Sequence, residues 1–182
     1  MAARLSEVSG ITKPVLILIA GGSGSGKTTF AGMLKVMLDC CCISVASISM
    51  DDFYKILIHD NVDPKTVNFD DPNAINFGNL KKTLSALFAN CDVTYPKYDF
   101  KTHNHSDENI TQHVSQVIIV EGIHALYEPL IVNDADFKIF IDATEDHRHD
   151  RRIERSVKVW KRSLEESEEQ YAKQVKPDRK SV

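Results

Sequence analysis

The chain has 182 residues, 42% of them hydrophobic and 26% charged, with a formal net charge of −4. That is about one domain's worth of chain, able to bury a core without disulfides or a structural metal, which excludes a disordered tail or a small stapled scaffold. No apolar run approaches the ~20 residues of a membrane span, and residues 1–13 lack the apolar stretch of a signal peptide. No membrane partner is therefore expected, and the chain is expected in the cytoplasm.

The first element is Val15–Ala20, short and uniformly apolar, and similar runs recur at residues 43–48, 117–120 and 137–141. Strands that are apolar on both faces belong in a parallel sheet covered on each side. Helical patterns separate them over residues 27–38 and 76–89, and a polar helix opens after Thr144, a suitable N-cap with Glu145 and Asp146 in its positive first turn. The alternation predicts an α/β fold with a doubly wound parallel sheet and right-handed crossovers. Residues 55–72 and 92–112 depart from that rhythm, and these insertions are expected to build one side of a site. No repeat or linker divides the chain, so residues 1–182 read as a single domain. Cys40, Cys41, Cys42 and Cys91 fit neither a metal pair nor a disulfide framework and are expected to be reduced and structural.

Residues 21–28, Gly-Gly-Ser-Gly-Ser-Gly-Lys-Thr, match G-x-x-x-x-G-K-[ST] between an apolar strand and a helical pattern. Such a loop curls so that backbone N–H groups and a helix N-terminus face phosphate oxygens. Gly21, Gly22, Ser23, Gly24, Ser25, Gly26, Lys27, Thr28 and Thr29 are thus candidate ATP-binding residues, with Lys27 reaching the β and γ phosphates and the Thr28 hydroxyl a candidate Mg²⁺ ligand. Glu121 closes an otherwise apolar strand at its carboxyl end, where ligands of open α/β sheets gather, and is a second metal candidate. Asp51 follows the second strand. It either takes the proton from an acceptor hydroxyl, holds Mg²⁺-bound water, or caps its loop in an Asx-turn.

Charge is unevenly placed. Residues 1–141 carry 16 acids against 11 bases, and residues 142–182 carry 10 against 11. A bulk nucleic-acid binder would be basic overall, so no nucleic-acid partner is expected; the local cluster of Arg148, Arg151, Arg152, Arg155, Lys158, Lys161 and Arg162 suits a smaller anion. Arg148, Arg152 and Arg155 recur at helical spacing. They form either a lid over the transferring phosphate, with Arg155 the phosphate contact, or a solvated helix paired with Glu165, Glu166, Glu168 and Glu169.

The phosphate loop, residues 51–54 (Asp-Asp-Phe-Tyr), residues 68–74 (Asn-Phe-Asp-Asp-Pro-Asn-Ala), Tyr98-Asp99-Phe100 with His103, and Val120-Glu121-Gly122-Ile123 together resemble the uridine kinase (uridine–cytidine kinase) family. Arg151-Arg152 with Arg155, and Arg162 through Pro177, resemble its arginine-rich lid at about residues 144–163. The resemblance implies a P-loop kinase fold with a small β-hairpin insertion. It also implies Mg²⁺-dependent transfer of the γ-phosphate of ATP to the 5′-hydroxyl of uridine or cytidine, giving UMP or CMP in pyrimidine salvage. On it, Asp51 orients the hydroxyl, Asp70 holds the ribose hydroxyls, Tyr54, Tyr98 and His103 meet the nucleoside, and Arg152 and Arg162 complete the pocket. A homo-oligomer, a tetramer, is implied as well.

Two departures stand out. Where the family has an Arg-Gly pair before Arg162, this chain reads Val159-Trp160-Lys161, and lysine lacks the planar fork of arginine. The resemblance also stops at Val175-Lys176-Pro177, before the family's last strand and helix. A sheet of four parallel strands with an exposed edge is then expected. Two alternatives stay open at this point: a truncated, non-catalytic nucleotide-binding partner of a full-length kinase, or a related P-loop kinase with another hydroxyl acceptor.

Overall fold

A computed structural model describes residues 13–55, 67–100, 102–158 and 163–172. Within it, β1 (Val15–Ala20), β2 (Val45–Ser49), β5 (Val117–Glu121) and β6 (Phe137–Phe140) form one parallel sheet in the order β2-β5-β1-β6. The sequence predicts these strands because no residue of β1 or β5 needs a polar side chain in water: every position of β5, and all but Val15 of β1, is buried. β5 is inserted between β1 and β2, so the chain leaving β1 passes over β5 through α1 (Lys27–Cys40) before entering β2. Crevices at such crossovers lie at the carboxyl ends of the strands.

The two faces of the sheet carry separate cores. On one, Ile17, Ile19, Val117 and Ile119 pack with Ala31, Leu34 and Leu38 of α1. On the other, Leu16, Leu18, Ile118 and Val120 pack with Leu80, Leu84 and Leu87 of α2 (Phe77–Phe88). Leu16, Leu18, Ile118, Ile119 and Val120 are wholly buried, each contributing roughly 1.5–3 kcal/mol relative to exposure. The doubly wound arrangement follows from that two-sided burial.

The second insertion is an antiparallel hairpin of β3 (Val93–Asp99) and β4 (Asn104–Gln112), with its register shifted between Pro96 and Tyr98. The Gln112 amide fastens it to the open side of β2: Nε2 donates to the Ser47 carbonyl at 2.7 Å and Oε1 accepts from the Ser47 N–H at 3.2 Å. A side-chain amide thus satisfies backbone groups that an edge strand leaves unpaired. At the opposite edge, β6 follows the short α3 (Pro129–Val132), and its Phe137 and Phe140 are exposed.

After β6, α4 (Glu145–Lys158) crosses to the phosphate loop, and α5 (Leu164–Gln170) begins at a capping box made by Ser163 and Glu166. The two helices meet through a buried Ser167–Ser156 hydroxyl pair at 2.8 Å and through His149, which lies 2.9 Å from Glu168 and edge-on to Tyr171. Glu168 therefore serves the α4–α5 contact. The four cysteines are unpaired, in keeping with their expected reduced state, and all four are exposed, so none packs in the core. Among the described residues no helix is long and apolar enough to cross a membrane.

Candidate functional site

Three strands end side by side. Parallel register sets Glu121, the last residue of β5, level with Ile19 of β1 and Ser49 of β2. The phosphate loop leaves β1 from this row, and Gly24 and Gly26 take φ of +80° and +97°, a region in which side chains are strained. A Cβ at Gly24 would also run into the backbone carbonyl of Arg148 on α4. Lys27 and Thr28 begin α1 directly after Gly26. Lys27 is buried, and Thr29 stands exposed on the first turn.

Glu121 is the centre of this end of the site. Its Oε1 accepts from the Thr28 hydroxyl at 3.1 Å and the Ser49 hydroxyl at 3.2 Å. Its Oε2 is buried and has no hydrogen-bond partner among the described residues. Burial raises the carboxyl above its ordinary pKa, the nearby Asp51 adds to the rise, and Lys27 opposes it. A hydroxyl beside a carboxylate with one oxygen unused is a hard-oxygen donor set, and it fits Mg²⁺. Asp51 lies in a 3-10 turn (Met50–Phe53) directly after β2, close enough to act electrostatically on Glu121, Tyr54 and Arg155. Ser49, and not Asp51, caps that turn: its hydroxyl accepts from the Asp51 N–H at 3.4 Å. The Asp51 side chain is thereby spared the Asx role.

Beside Asp51 the chain closes an aromatic chamber. Tyr54 meets Phe69, Tyr98 and Phe100, with centroids at 5.5, 5.2 and 6.2 Å. Its hydroxyl donates to the Phe69 carbonyl at 3.0 Å. His103, held at φ +52° between β3 and β4, stacks on Phe69 at 4.8 Å and 18°. Burial pushes the Tyr98 phenol up to about 12 and holds Tyr54 well above the ordinary phenol range, so both keep their protons at neutral pH. The Tyr98 hydroxyl is buried without a hydrogen-bond partner among the described residues. The histidines part company: His105 lies edge-on to Tyr98 and His113 pairs with Asp92 at 2.7 Å.

Asp70 joins the chamber to the phosphate loop. Its carboxylate lies 3.5 Å from the Arg152 guanidinium, with both side chains nearly buried. The turn is capped instead by Asn68, which accepts from the Asp70 N–H at 3.1 Å, and by Asp71, which accepts from Asn73 N–H at 2.7 Å. Arg152 also donates to the Ser23 hydroxyl at 2.6 Å, and Arg155 donates to the same oxygen at 3.2 Å. Burial and the neighbouring Arg152 lower the Arg155 pKa. Arg148 closes on Gly22 and Gly24. The arginine face of α4 therefore rests on the phosphate loop and is not a solvated stripe. Arg162 and residues 159–161 lie outside the described residues, as does 173–177.

Three contributors, Ser49, His124 and Asp52, escaped the sequence reading, and Ser23, expected only as part of the phosphate loop, has arginine partners that the reading did not give it. Ser23 meets both arginines, Ser49 shares Glu121 with Thr28, and His124 is buried against the Asp70 carbonyl at 2.8 Å. Asp52 accepts from the Tyr98 N–H at 3.2 Å, where the hairpin register shifts. Only Asp52 left a trace in the sequence, as an acid beside Asp51.

Comparison with known proteins gives the family and the fold. Residues 16–181 match the model of the phosphoribulokinase / uridine kinase family. Uridine-cytidine kinase A of Dictyostelium discoideum is 42% identical over 167 residues, which are 92% of this chain and 33% of that protein. A uridine kinase of Lactobacillus helveticus is 36% identical over 176 residues, 92% of this chain and 79% of that protein. The chain thus spans about a third of the length of the Dictyostelium relative. Among solved structures, a possible uridine kinase from Bacillus stearothermophilus aligns with a TM-score of 0.59 at 25% identity, covering 91% of this chain and 84% of that one.

Proposed function

Given that the chain belongs to the phosphoribulokinase / uridine kinase family, we propose that it transfers the γ-phosphate of ATP to the 5′-hydroxyl of uridine or cytidine, yielding UMP or CMP. The observation that carries this reading is the reach of Arg152, whose one guanidinium spans from Ser23 in the phosphate loop to Asp70 beside the aromatic chamber. Donor and acceptor pockets are thereby within one side chain of each other, as a direct transfer requires.

Phosphoryl transfer asks for alignment and charge neutralisation more than for covalent help. The loop N–H groups and Lys27 grip the β and γ phosphates. Thr28 and Glu121 would hold Mg²⁺, with Asp51 facing them. The ion's chemistry there is to neutralise charge on the phosphates. Asp51 accepts the proton of the attacking hydroxyl, and its alternative duty toward metal-bound water uses the same location. Arg155, with Arg148 and Arg152 around it, stabilises charge on the transferring group. The Asp70 carboxylate accepts from the ribose hydroxyls, while Tyr54, Tyr98 and His103 receive the pyrimidine by ring packing and hydrogen bonding.

The test is ADP release from ATP and Mg²⁺ with uridine, cytidine, a purine nucleoside and a sugar phosphate as acceptors. Turnover confined to the pyrimidine nucleosides, lost in Asp51→Asn, is the expected result. Turnover only with another alcohol, or ATP binding with no acceptor used, contradicts it.

A further inference from the structure

Three residues beyond Glu121 the chain buries a histidine that has no part in the proposed transfer. His124 is 3% exposed, and its Nε2 lies 2.8 Å from the backbone carbonyl oxygen of Asp70. A carbonyl can only accept, so Nε2 carries the proton. The ring is further held edge-on to Tyr127, with centroids 5.9 Å apart. The turn that carries it leaves the sheet at Gly122, whose N–H donates to the Ile19 carbonyl at 3.1 Å, and is closed by the Ala125 N–H donating to the Gly122 carbonyl at 3.3 Å and the Tyr127 N–H donating to the His124 carbonyl at 3.0 Å.

The segment that His124 grips is not part of the sheet. It is fixed from three sides: Tyr54 takes the Phe69 carbonyl at 3.0 Å, Asn68 takes the Asp70 N–H at 3.1 Å, and His124 takes the Asp70 carbonyl. Two successive peptide carbonyls are thus each pinned by a buried ring. With the peptide on both sides of its Cα held, the Asp70 side chain is aimed at Arg152 and, through it, at Ser23.

We propose that His124 is a positioning residue for the acceptor: its Nε2–H locks the Asp70 peptide so that the carboxylate meets the ribose hydroxyls beside Arg152. This rests on the nucleoside kinase reading. The sheet end that carries Glu121 then also sets the sugar, which makes the distance between metal site and ribose a property of one rigid turn.

The experiment compares wild type, His124→Leu and His124→Gln by uridine calorimetry and steady-state kinetics. Leucine removes the donor at similar volume, while glutamine returns an N–H at about the same reach. The expected result is a uridine Kd and KM raised about tenfold in H124L, with kcat and the KM for ATP within twofold of wild type, and recovery to within threefold in H124Q. A packing role alone would lower the melting temperature and the active fraction, leave the uridine KM in place and give no rescue. A folded H124L that binds uridine as wild type does overturns the proposal and leaves the kinase reading intact. Wild type that binds neither uridine nor cytidine overturns both. Should H124L fail to fold, ¹⁵N spectra of wild-type histidines decide: an Nε2-protonated ring that shifts on adding uridine supports the proposal, and an Nδ1-protonated or unresponsive ring overturns it.

Discussion

The Arg152 guanidinium donates to the Ser23 hydroxyl at 2.6 Å while lying 3.5 Å from the Asp70 carboxylate. A residue of the helix that follows β6 therefore bridges the loop after β1 to the turn that ends the first insertion. Since both partners of the ion pair are nearly buried, removing one leaves the other without its charge partner.

Arg152→Ala is accordingly expected to raise the uridine KM at least tenfold and to destabilise the fold by about 1–3 kcal/mol. Arg152→Lys restores the charge but not two divergent N–H contacts, so it recovers stability more than KM. Initial rates at varied uridine, together with thermal melts, separate the two effects. A wild-type KM in R152A would remove Arg152 from the acceptor pocket.

Glu121 yields a prediction in pH. Burial raises its carboxyl above the ordinary value, and only the carboxylate ligates a cation. Apparent Mg²⁺ affinity, followed by titration at fixed ATP, should fall as pH drops through that raised pKa. Folding shows the opposite sign: the native state holds the proton more tightly than the unfolded chain, so Glu121 costs stability as pH rises across the interval between the two values. Glu121→Gln should abolish the metal response, lowering turnover by 10²-fold or more, while melting no lower than wild type above neutral pH. A full Mg²⁺ response in that variant would exclude Glu121 as a ligand.

The sheet and its phosphate loop were legible because burial on two faces and a backbone-lined anion site leave dense local signals: β1 is apolar throughout, β5 is apolar up to its closing Glu121, and the loop needs glycine at Gly24 and Gly26. The hairpin's tie to the sheet was not legible. It depends on Gln112 meeting Ser47 across 65 positions, and a glutamine in a polar strand carries no mark of such a partner. The arginine run was ambiguous for a related reason. Helical spacing shows that Arg148, Arg152 and Arg155 share a face, but only Ser23 and Gly24 beneath them show that the face rests on the phosphate loop. Nothing in the sequence marked the exposure of the four cysteines, a residue type that is usually buried.

Asp52 gives a prediction that spares the phosphates. Its Oδ1 accepts from the Tyr98 N–H at 3.2 Å, and burial, with a further contribution from Asp51, raises its pKa. Asp52→Asn keeps an acceptor oxygen and removes a charge that burial disfavours. It should therefore melt higher than wild type at pH 8, with the difference shrinking as pH falls and wild-type Asp52 takes up its proton. Asp52→Ala frees the hairpin at Tyr98 and should raise the uridine KM several-fold with little change in the KM for ATP. Melting curves from pH 4 to 8 and the two KM values test this pair, and equal uridine KM in wild type and D52A would remove Asp52 from the hairpin's support.

His149 couples α4 to α5 through a contact that titrates. Its hydrogen bond to Glu168 at 2.9 Å, aided by Asp150 at 3.4 Å, raises the imidazole pKa above its ordinary value. Tyr171 covers one side of the ring, and Glu145 and Asp146 border the same cavity. A raised folded-state pKa means that the stabilisation is complete below the unfolded value, near 6.5, and is lost as pH rises through the folded one. Glu168 and Asp150 are well exposed, so screening limits the gain to about 0.5–1 kcal/mol. In a chain of this size that is a drop in melting temperature of roughly 1–3 °C between pH 6 and pH 8. Glu168→Gln should flatten that slope and His149→Ala should abolish it, and added salt should weaken it in wild type. The α4 arginines reach Ser23 from the same helix, so the loss of the α5 contact should loosen them as well. Hydrogen exchange of the α4 amides, faster at pH 8 than at pH 6 after correction for intrinsic rates, is the measurement that links this pair to the arginine face of α4. Identical corrected rates at the two pH values would confine His149 to the α4–α5 seam.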